Sequence, residues 1–505
     1  MTHRSRDVHG ASPALVRATV AASALVAGAL ACLGCPEHAP IGPPVDAVAT
    51  SGSGGAASSG TTTTVTGGAG MGGAGGAASC DAIAWGRVLA VTGERRVARA
   101  LVTPGGDILL AGDFTGTLSL DGDVDPILLQ ATGRDAFILR FDACGRLLWK
   151  QQSEGSGDEH ALDLAVFGDD AVLAVSYTKS LGFGGALTVL QGGAVGGVLR
   201  FDATGASLWQ NAVGVLGEGG LQVAAAPDVG LYLSGGITGS LGGGQMLAAK
   251  GKRDVYLTRL GADGKPLWQR RFGTSSDEYA TALSVAPSGI FLGGVYTAAL
   301  SFGGTPLPDF MGLPLGFLVR AEAGDGAITA AIKHTDNVLT SPSSIAPASD
   351  GSVWLASTLV GKVGAELFND GLVQRFAPGP KGILGELLYG VGDTHGQTAR
   401  GIVLRPDGHA VVLGTVGGFT SFGGGVELEA DKADVLLLEL DDEAKVVTAK
   451  AAGGPSKEQE GQAIALGAAG ELVLAGLIDG ALDLPGKILQ ADGPSLFLAR
   501  LPSKP

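Results

Sequence analysis

Carboxylate side chains recur at one place in a repeated unit of this sequence, in the loop before the first apolar segment of each unit. Carboxylate oxygens are the ligands that Ca²⁺ prefers, and a ring of them would attract cations generally. The residues concerned are Glu94, Asp158, Glu159, Glu218, Asp277, Glu278 and Glu458, with Asp336 and Asp393 nearby but shifted in register. The pattern predicts either a ring for calcium or a cationic ligand, or carboxylates that cap backbone N–H groups at repeated turns, which we favour.

Catalytic and cofactor motifs give no positive signal. The sequence has no GxSxG, phosphate-loop or HExxH motif, and its histidines lack metal-ligand spacing. Asp121, Asp123 and Asp125 alternate as in a calcium loop but lack the glutamate that completes one, so an acidic turn is favoured. We therefore expect no enzyme, no catalytic residue and no firm metal site. Ca²⁺ is the only cofactor we consider.

The first 35 residues have the features of an export signal. Three arginines precede an apolar segment, residues 18–31, that is too short to span a bilayer. Small residues precede Cys32, and this arrangement resembles the bacterial lipobox, whose cysteine carries the lipid anchor; Cys35 is the alternative. Residues 1–35 are predicted to be a signal peptide and lipobox region, and an ordinary cleaved signal peptide remains the alternative.

Composition sets the outer limits on fold and partners. A chain of 505 residues is longer than one ordinary core, which stops growing at roughly 250 to 300 residues, so several domains or a repeat array are required. The net charge of −15 argues against nucleic acid as a partner. Residues 36–79 are rich in Gly, Ser, Thr and Ala and cannot offset their ordering entropy, so they are predicted to be a disordered tether.

Residues 80–505 consist of repeated units. An apolar segment that ends in a fixed charged residue recurs every 55 to 64 residues, at Arg140, Arg200, Arg259, Arg320, Arg375, Glu439 and Arg500. A second marker is a set of structural tryptophans, Trp85, Trp149, Trp209 and Trp268. Each unit contains four short apolar segments, and Asp-Gly or Thr-Gly turns join the last two. This pattern predicts an all-β, seven-bladed β-propeller of four-stranded antiparallel blades; a linear β-solenoid is the alternative.

The phase of the repeat predicts how the ring closes. The folded region begins with a Trp segment and ends with an Arg segment that has no Trp segment after it. The N-terminal strand is therefore expected to complete the last blade, which leaves no unpaired strand at the seam.

Two segments carry a resemblance to a known family. Residues 253–273, RDVYLTRLGADGKPLWQRRFG, and residues 273–304, GTSSDEYATALSVAPSGIFLGGVYTAALSFGG, resemble the bacterial seven-bladed β-propeller repeat (SBBP-type) family found in exported proteins. The likeness extends over about residues 82–505, although later units lack the tryptophan. It implies a propeller in an exported lipoprotein, and no catalytic set.

Cys80 and Cys144 are the two cysteines of the predicted domain. Each lies five residues before a repeat tryptophan, in units that are neighbours in the ring. An exported domain permits oxidation, so they could form a disulfide, provided their Cα atoms approach within the roughly 6 Å that a bridge requires.

Three functions are compatible with these features. We favour a non-catalytic, monomeric cell-envelope lipoprotein, on the outer membrane or cell surface, whose propeller recognises protein or polysaccharide. Periplasmic or secreted placement is an alternative, and contact with the membrane would be only through the lipid. The second function is a propeller enzyme: residues 201–209 resemble the tryptophan docking motif of quinoproteins but are one residue short, and a lyase is also considered. The third is a scaffold lipoprotein for outer-membrane assembly.

Overall fold

A computed structural model describes most of the folded region. All described residues lie within one compact unit, Gly76–Pro505. They are residues 84–120, 128–184, 188–189, 195–226, 229–241, 248–304, 306–309, 312–334, 339–363, 366–377, 384–389, 397–422, 425–454 and 458–503. Every regular element in these ranges is a strand, which confirms the all-β prediction. This part of the chain contains no helix long and apolar enough to cross a membrane.

The strands pair antiparallel in groups of four, each an up-and-down meander, which we call groups A to G. The chain starts with β1 (Trp85–Val91). Group A contains β2 (Arg95–Val102), β3 (Ile108–Leu120), β4 (Leu128–Phe141) and β5 (Leu147–Gln152). Group B contains β6 (Glu159–Phe167), β7 (Asp170–Tyr177), the short pair β8 (Ser180–Leu181) and β9 (Thr188–Val189), β10 (Val195–Phe201) and the first half of β11 (Ser207–Ala226).

The later groups repeat this order. The second half of β11 begins group C, which continues with β12 (Gly230–Leu241), β13 (Asp254–Leu260) and β14 (Pro266–Phe272). Group D is β15 (Glu278–Ala286), β16 (Gly289–Tyr296), β17 (Leu315–Ala321) and β18 (Ile328–Lys333). Group E is β19 (Leu339–Pro347), β20 (Val353–Val363), β21 (Glu366–Ala377) and β22 (Leu384–Tyr389). Group F is β23 (Thr398–Leu404), β24 (Ala410–Ser421), β25 (Glu427–Leu440) and β26 (Val446–Ala452). Group G is β27 (Glu460–Leu466), β28 (Leu472–Leu484) and β29 (Lys487–Leu501).

The first strand of each group lies against the first strands of its neighbours. The order of these contacts is β2, β6, β11, β15, β19, β23 and β27, and β27 in turn lies against β2. Four-stranded antiparallel sheets whose first strands adjoin one another are the architecture of a β-propeller, as the repeat predicts. The number of blades and the closure of the ring stay predictions.

The N-terminal strand pairs with the C-terminal one. β1 runs antiparallel to β29 from Trp85 opposite Arg500 to Ala90 opposite Ser495. Its last residues also pair with the end of β3. The same cross-strand partnership of arginine and tryptophan occurs inside the early groups, where Arg140, Arg200 and Arg259 lie opposite Trp149, Trp209 and Trp268. β1 therefore pairs with β29 in the same arginine–tryptophan register as the third and fourth strands of groups A to C.

Packing between neighbouring groups supplies the hydrophobic core. One cluster combines Leu89 of β1, Phe114 and Phe137 of group A, and Val473 and Leu498 of group G, all fully buried. Burying each such side chain contributes roughly 1.5 to 3 kcal/mol. Groups A and G are thereby held together by side chains from both ends of the described chain.

The tryptophans connect each early group to the next one. The indole Nε1 atoms of Trp85, Trp149 and Trp209 donate to the carbonyl oxygens of Ala143, Ala203 and Ala262, at 2.9, 3.0 and 2.8 Å. Each acceptor belongs to the turn before the fourth strand of the following group, and the indole lies over the glycine of that turn. These glycines, Gly145, Gly205 and Gly264, have φ of +77°, +87° and +75°. The turn therefore needs glycine both for its backbone conformation and for the space that the indole fills.

A β-bulge recurs near the start of the first strands. The pairing of β2, β6, β15, β19, β23 and β27 with their second strands shifts by one residue at the same relative place. A bulge leaves one residue outside the ladder. The residues skipped in this way are Ala98, Leu162, Thr281, Ser343, Arg400 and Gln462.

Candidate functional site

Several of the predicted acidic residues make local contacts with arginine or backbone groups. Glu94 is exposed and forms an ion pair with Arg134. The backbone N–H of Arg134 also donates to the Asp158 carboxylate at 3.3 Å. Asp277 forms an ion pair with Arg253, and Glu458 is exposed. Arginine neutralises Glu94 and Asp277 in part, so these two carboxylates attract a free cation less strongly than isolated ones would.

Glu159 is buried between groups A and B. Its side chain is 0% exposed, and its Oε2 accepts a hydrogen bond from Ser153 Oγ at 3.2 Å. Asp135, at the start of the buried part of β4, is 1% exposed. One oxygen of each carboxyl group, Glu159 Oε1 and Asp135 Oδ1, has no hydrogen-bond partner among the described residues. Burial, and next the charge of Asp135, raises the pKa of Glu159 to about 7.

The same arrangement recurs between groups C and D. Glu278 is fully buried and accepts hydrogen bonds from the N–H and the hydroxyl of Thr274. Burial raises its pKa, and Asp254, the counterpart of Asp135, adds to this shift. Between groups F and G the equivalent residues are Asp434 and Gln459, so an amide replaces the second carboxyl group. Recurrence of this buried pair at group boundaries is what a structural role predicts.

The remaining predicted site residues lie outside what the structure describes, wholly or in part. Glu218 is in β11, but its side chain is among those not described. Asp336, Asp393, Cys32, Cys35, Cys80 and the run from Asp121 to Asp125 lie outside the described residues. Within the described ranges, no group of three or more His, Cys, Asp or Glu side chains could hold a metal ion.

Cys144 is disulfide-bonded. It lies in the turn between β4 and β5, and the indole of Trp85 donates to the neighbouring residue of that turn, Ala143, at 2.9 Å. Cys80 precedes Trp85 by five residues, so the chain enters β1 close to this turn. The pairing of Cys144 with Cys80 stays a prediction, because Cys80 is outside the described residues.

The first strands enclose a cavity of about 500 Å³. Its lining includes residues of all the first strands, and each of the six bulge residues contributes to it. A volume of this size is typical of sites for small ligands. The bulges therefore direct the one side chain per strand that the ladder leaves unpaired toward a common space.

The cavity is cationic although the protein as a whole carries a net charge of −15. Its charged lining residues are Arg96, Arg99, Arg400 and Asp163, and with Asp113, the buried partner of Arg96, counted beside them the formal surplus is one positive charge. Arg96 is held by Asp113 at 2.6 Å and by the carbonyl oxygen of Ala161. These arginines come from β2 and β23, which flank β27 on one side of the cavity.

Two of the arginines have donors to spare. Arg99 Nε lies 3.6 Å from Asp163 Oδ1, beyond hydrogen-bond distance, and the side chain is 34% exposed. Burial raises the pKa of Asp163, and the charge of Arg99 opposes that shift. Arg400 is exposed and forms no hydrogen bond or ion pair with any residue of the described ranges. Both guanidinium groups can therefore donate to a ligand.

Hydroxyl groups from the neighbouring strands β15 and β19 also line the cavity. Thr281 Oγ1 donates to the carbonyl oxygen of Pro342 at 2.6 Å. Ser343 Oγ lies within hydrogen-bond distance of the carbonyl oxygens of Ala356 and Ala399, and its single proton is donated to one of them at a time. Because their protons are committed to the backbone, these oxygens present lone pairs, and so act as acceptors. The cavity thus offers cationic donors from β2 and β23 and neutral acceptors from β15 and β19, and Ser343 lies next to Arg400 because it contacts the carbonyl oxygen of Ala399.

Analysis of the repeat did not find these residues. It identified positions whose residue type is shared between units, and the bulge position carries a different side chain in almost every one. The sequence did contain one signal for them: the residue type varies from unit to unit at one fixed place within an otherwise regular apolar strand.

Comparisons with known proteins give a likeness to solved structures only. No protein-family model matches the chain, and no curated protein does. A protein of unknown function from Dyadobacter fermentans is 12% identical, with 83% of this chain and 98% of that one covered and a TM-score of 0.42. YCF48 from Cyanidioschyzon merolae is 14% identical, with 82% and 98% covered and a TM-score of 0.38. The WD40 domain of SCAP from fission yeast is 8% identical, with 82% and 94% covered and a TM-score of 0.35.

Proposed function

We propose that the chain forms a seven-bladed β-propeller in which groups A to G are the blades and β1 is the fourth strand of the last blade. The contact order of the first strands, which returns from β27 to β2, supports this. The position of Trp85 opposite Arg500 supports it independently, because that pair defines the third and fourth strands elsewhere. In this arrangement the cavity lies on the axis of the ring.

We propose further that the propeller is a non-catalytic recognition module, and that the axial cavity is its binding site. One observation carries this proposal: the bulge residues face one cavity and differ in chemical type from group to group, as Ala98, Leu162, Thr281, Ser343, Arg400 and Gln462. Structural positions repeat in such a fold, whereas a binding site must break the symmetry to fit an asymmetric ligand. The polar lining fits a polysaccharide terminus better than the flat surface of a folded protein.

We also propose that the protein is exported and held at the cell surface by lipid on Cys32, with residues 36–79 as the tether. The apolar segment and the small residues before Cys32 support this assignment.

The recognition function is tested by measuring polysaccharide binding directly. The full chain is immobilised and exposed to a panel of neutral and acidic polysaccharides, and the bound polymer is recovered and sized. We expect binding to at least one polymer, with its length unchanged. Replacing Gln462, a bulge residue, by Leu should weaken that binding, whereas replacing the exposed Leu148 of β5 by Gln should not.

Two results would count against this function. A shortened polymer would make the protein an enzyme, and the propeller lyase considered above would then replace the recognition module. Binding that is equally strong after the change at Gln462 would move the site away from the cavity.

A further inference from the structure

We propose that the axial cavity is specific for a sugar acid, a ligand that carries a carboxylate together with several hydroxyl groups. This inference rests on the proposed recognition function and names the class of ligand for the same site. It depends on Arg99, Arg400, Thr281 and Ser343, which all line the cavity.

The carboxylate of the ligand would bind between Arg99 and Arg400. Guanidinium groups hold carboxylates through paired, charge-assisted hydrogen bonds, the strongest class available to a neutral-pH ligand. Arg400 has no partner in the described part of the chain, and Arg99 reaches Asp163 only at 3.6 Å. Arg96, by contrast, already donates to Asp113 and to Ala161, so its charge is compensated within the protein.

The hydroxyl groups of the ligand would face Thr281 and Ser343. Each of these residues donates its own proton to a backbone carbonyl and is left as an acceptor. A ligand at this side must therefore supply donors, and sugar hydroxyls do. An inorganic anion such as phosphate can accept hydrogen bonds from the arginines but offers few donors to Thr281 and Ser343. A neutral sugar can donate to Thr281 and Ser343 but has no negative charge for the arginines.

The charge of the cavity is opposite in sign to the net charge of the protein. A formal surplus of one positive charge, at Arg400, in a chain of net charge −15 favours an acidic ligand at the cavity over the rest of the protein.

Calorimetric titration of the full chain tests the proposal with four probes: galacturonate, galactose, acetate and polygalacturonate. We expect galacturonate to bind and galactose and acetate to bind at least about ten-fold more weakly. Arg400→Gln should weaken galacturonate binding by about ten-fold or more. Arg270→Gln, at an exposed arginine of β14 outside the cavity, is the matched control and should leave binding unchanged.

The probes also separate the two sources of such a ligand. Binding of free galacturonate identifies a soluble sugar acid as sufficient. Binding of polygalacturonate alone, lost in Arg400→Gln, identifies the terminus of an acidic polysaccharide. Thermal melting of both variants checks that the fold is intact.

Three results would overturn the inference. Galactose binding equal to galacturonate binding would show that the charge is not used, and the recognition function would survive without this specificity. Galacturonate binding that is undiminished in Arg400→Gln would also show that the charge is not used. No binding by any of the probes, together with no binding in the polysaccharide panel, would remove both the inference and the proposed function.

Discussion

At the scale of single residues, the carboxyl pair of Glu159 and Asp135 makes the stability of the boundary between groups A and B depend on pH. Both side chains are buried, and burial with the neighbouring charge raises the pKa of Glu159 to about 7. The ordinary pKa of a glutamic acid side chain is 4.5, so folding favours the protonated form of Glu159. This contribution to stability is complete below pH 4.5 and is lost as the pH rises through about 7.

Glu159→Gln should therefore stabilise the protein at alkaline pH. A neutral amide replaces a carboxylate that is costly to ionise, so we expect the free energy of unfolding at about pH 8 to rise by roughly 1 to 2 kcal/mol. The difference should disappear at about pH 4.5, where the wild-type group is protonated. Denaturant unfolding of the wild type and the variant, between about pH 4.5 and pH 8, measures the gain and its disappearance. Glu458→Gln, at an exposed carboxylate, is the control, and an equal gain there would assign the effect to net charge.

The turn glycines offer a second residue-level test. A Cβ at Gly205 would lie 2.7 Å from Cδ2 of Trp149, whereas a Cβ at Gly106 would meet nothing within 4 Å. Both residues have φ of +87°, so the backbone strain of alanine is matched. Gly205→Ala should therefore lower the free energy of unfolding by about 1 to 3 kcal/mol more than Gly106→Ala does. Equal losses would mean that the indole moves aside without cost.

At the scale of elements, the repeat predicted the strands well and the binding site poorly. The recurring arginine segments and the Asp-Gly turns correspond to third strands and to the turns after them, and Trp149, Trp209 and Trp268 lie in fourth strands. The acidic loop residues were also found, but not that Glu159 turns inward. Its partner Asp135 belongs to the preceding unit, and no local pattern connects them. Arg400 escaped notice because only the pairing of β23 with β24 shows that it is the bulged residue.

The pairing of β1 gives a prediction about this element. Deleting residues 80–92 should lower the melting temperature of the whole domain in one cooperative transition, because the deletion leaves β29 without its partner and removes the buried Leu89. Losing a buried leucine alone costs about 2 to 5 kcal/mol. Differential scanning calorimetry measures the change. Deleting residues 51–75 of the tether instead should leave the melting temperature as it is, and an equally unchanged value for the first deletion would contradict the closure by β1.

At the scale of the whole molecule, the proposed placement depends on one cysteine near the start of the chain. If Cys32 carries the lipid, Cys32→Ser should abolish incorporation of labelled fatty acid and release the protein from the membrane fraction of the host. Cys35→Ser is the matched control and should leave both unchanged. The opposite result would assign the lipid to Cys35, and labelling of neither would identify an ordinary signal peptide. Because a single acyl chain anchors only weakly, diacylation is what makes the attachment stable.

The bulges of the first strands bear on how such a protein acquires a new ligand. A residue outside the ladder can be exchanged without removing a hydrogen bond of the ladder. Six of the units therefore contain one codon whose change leaves the strand pairing intact, although the side chains of Thr281, Ser343 and Gln462 also bond to backbone groups of neighbouring strands. Duplication of the unit multiplies the framework, and drift at that codon diversifies the site. Ligand preference can thus change by single substitutions that leave the strand pairing intact.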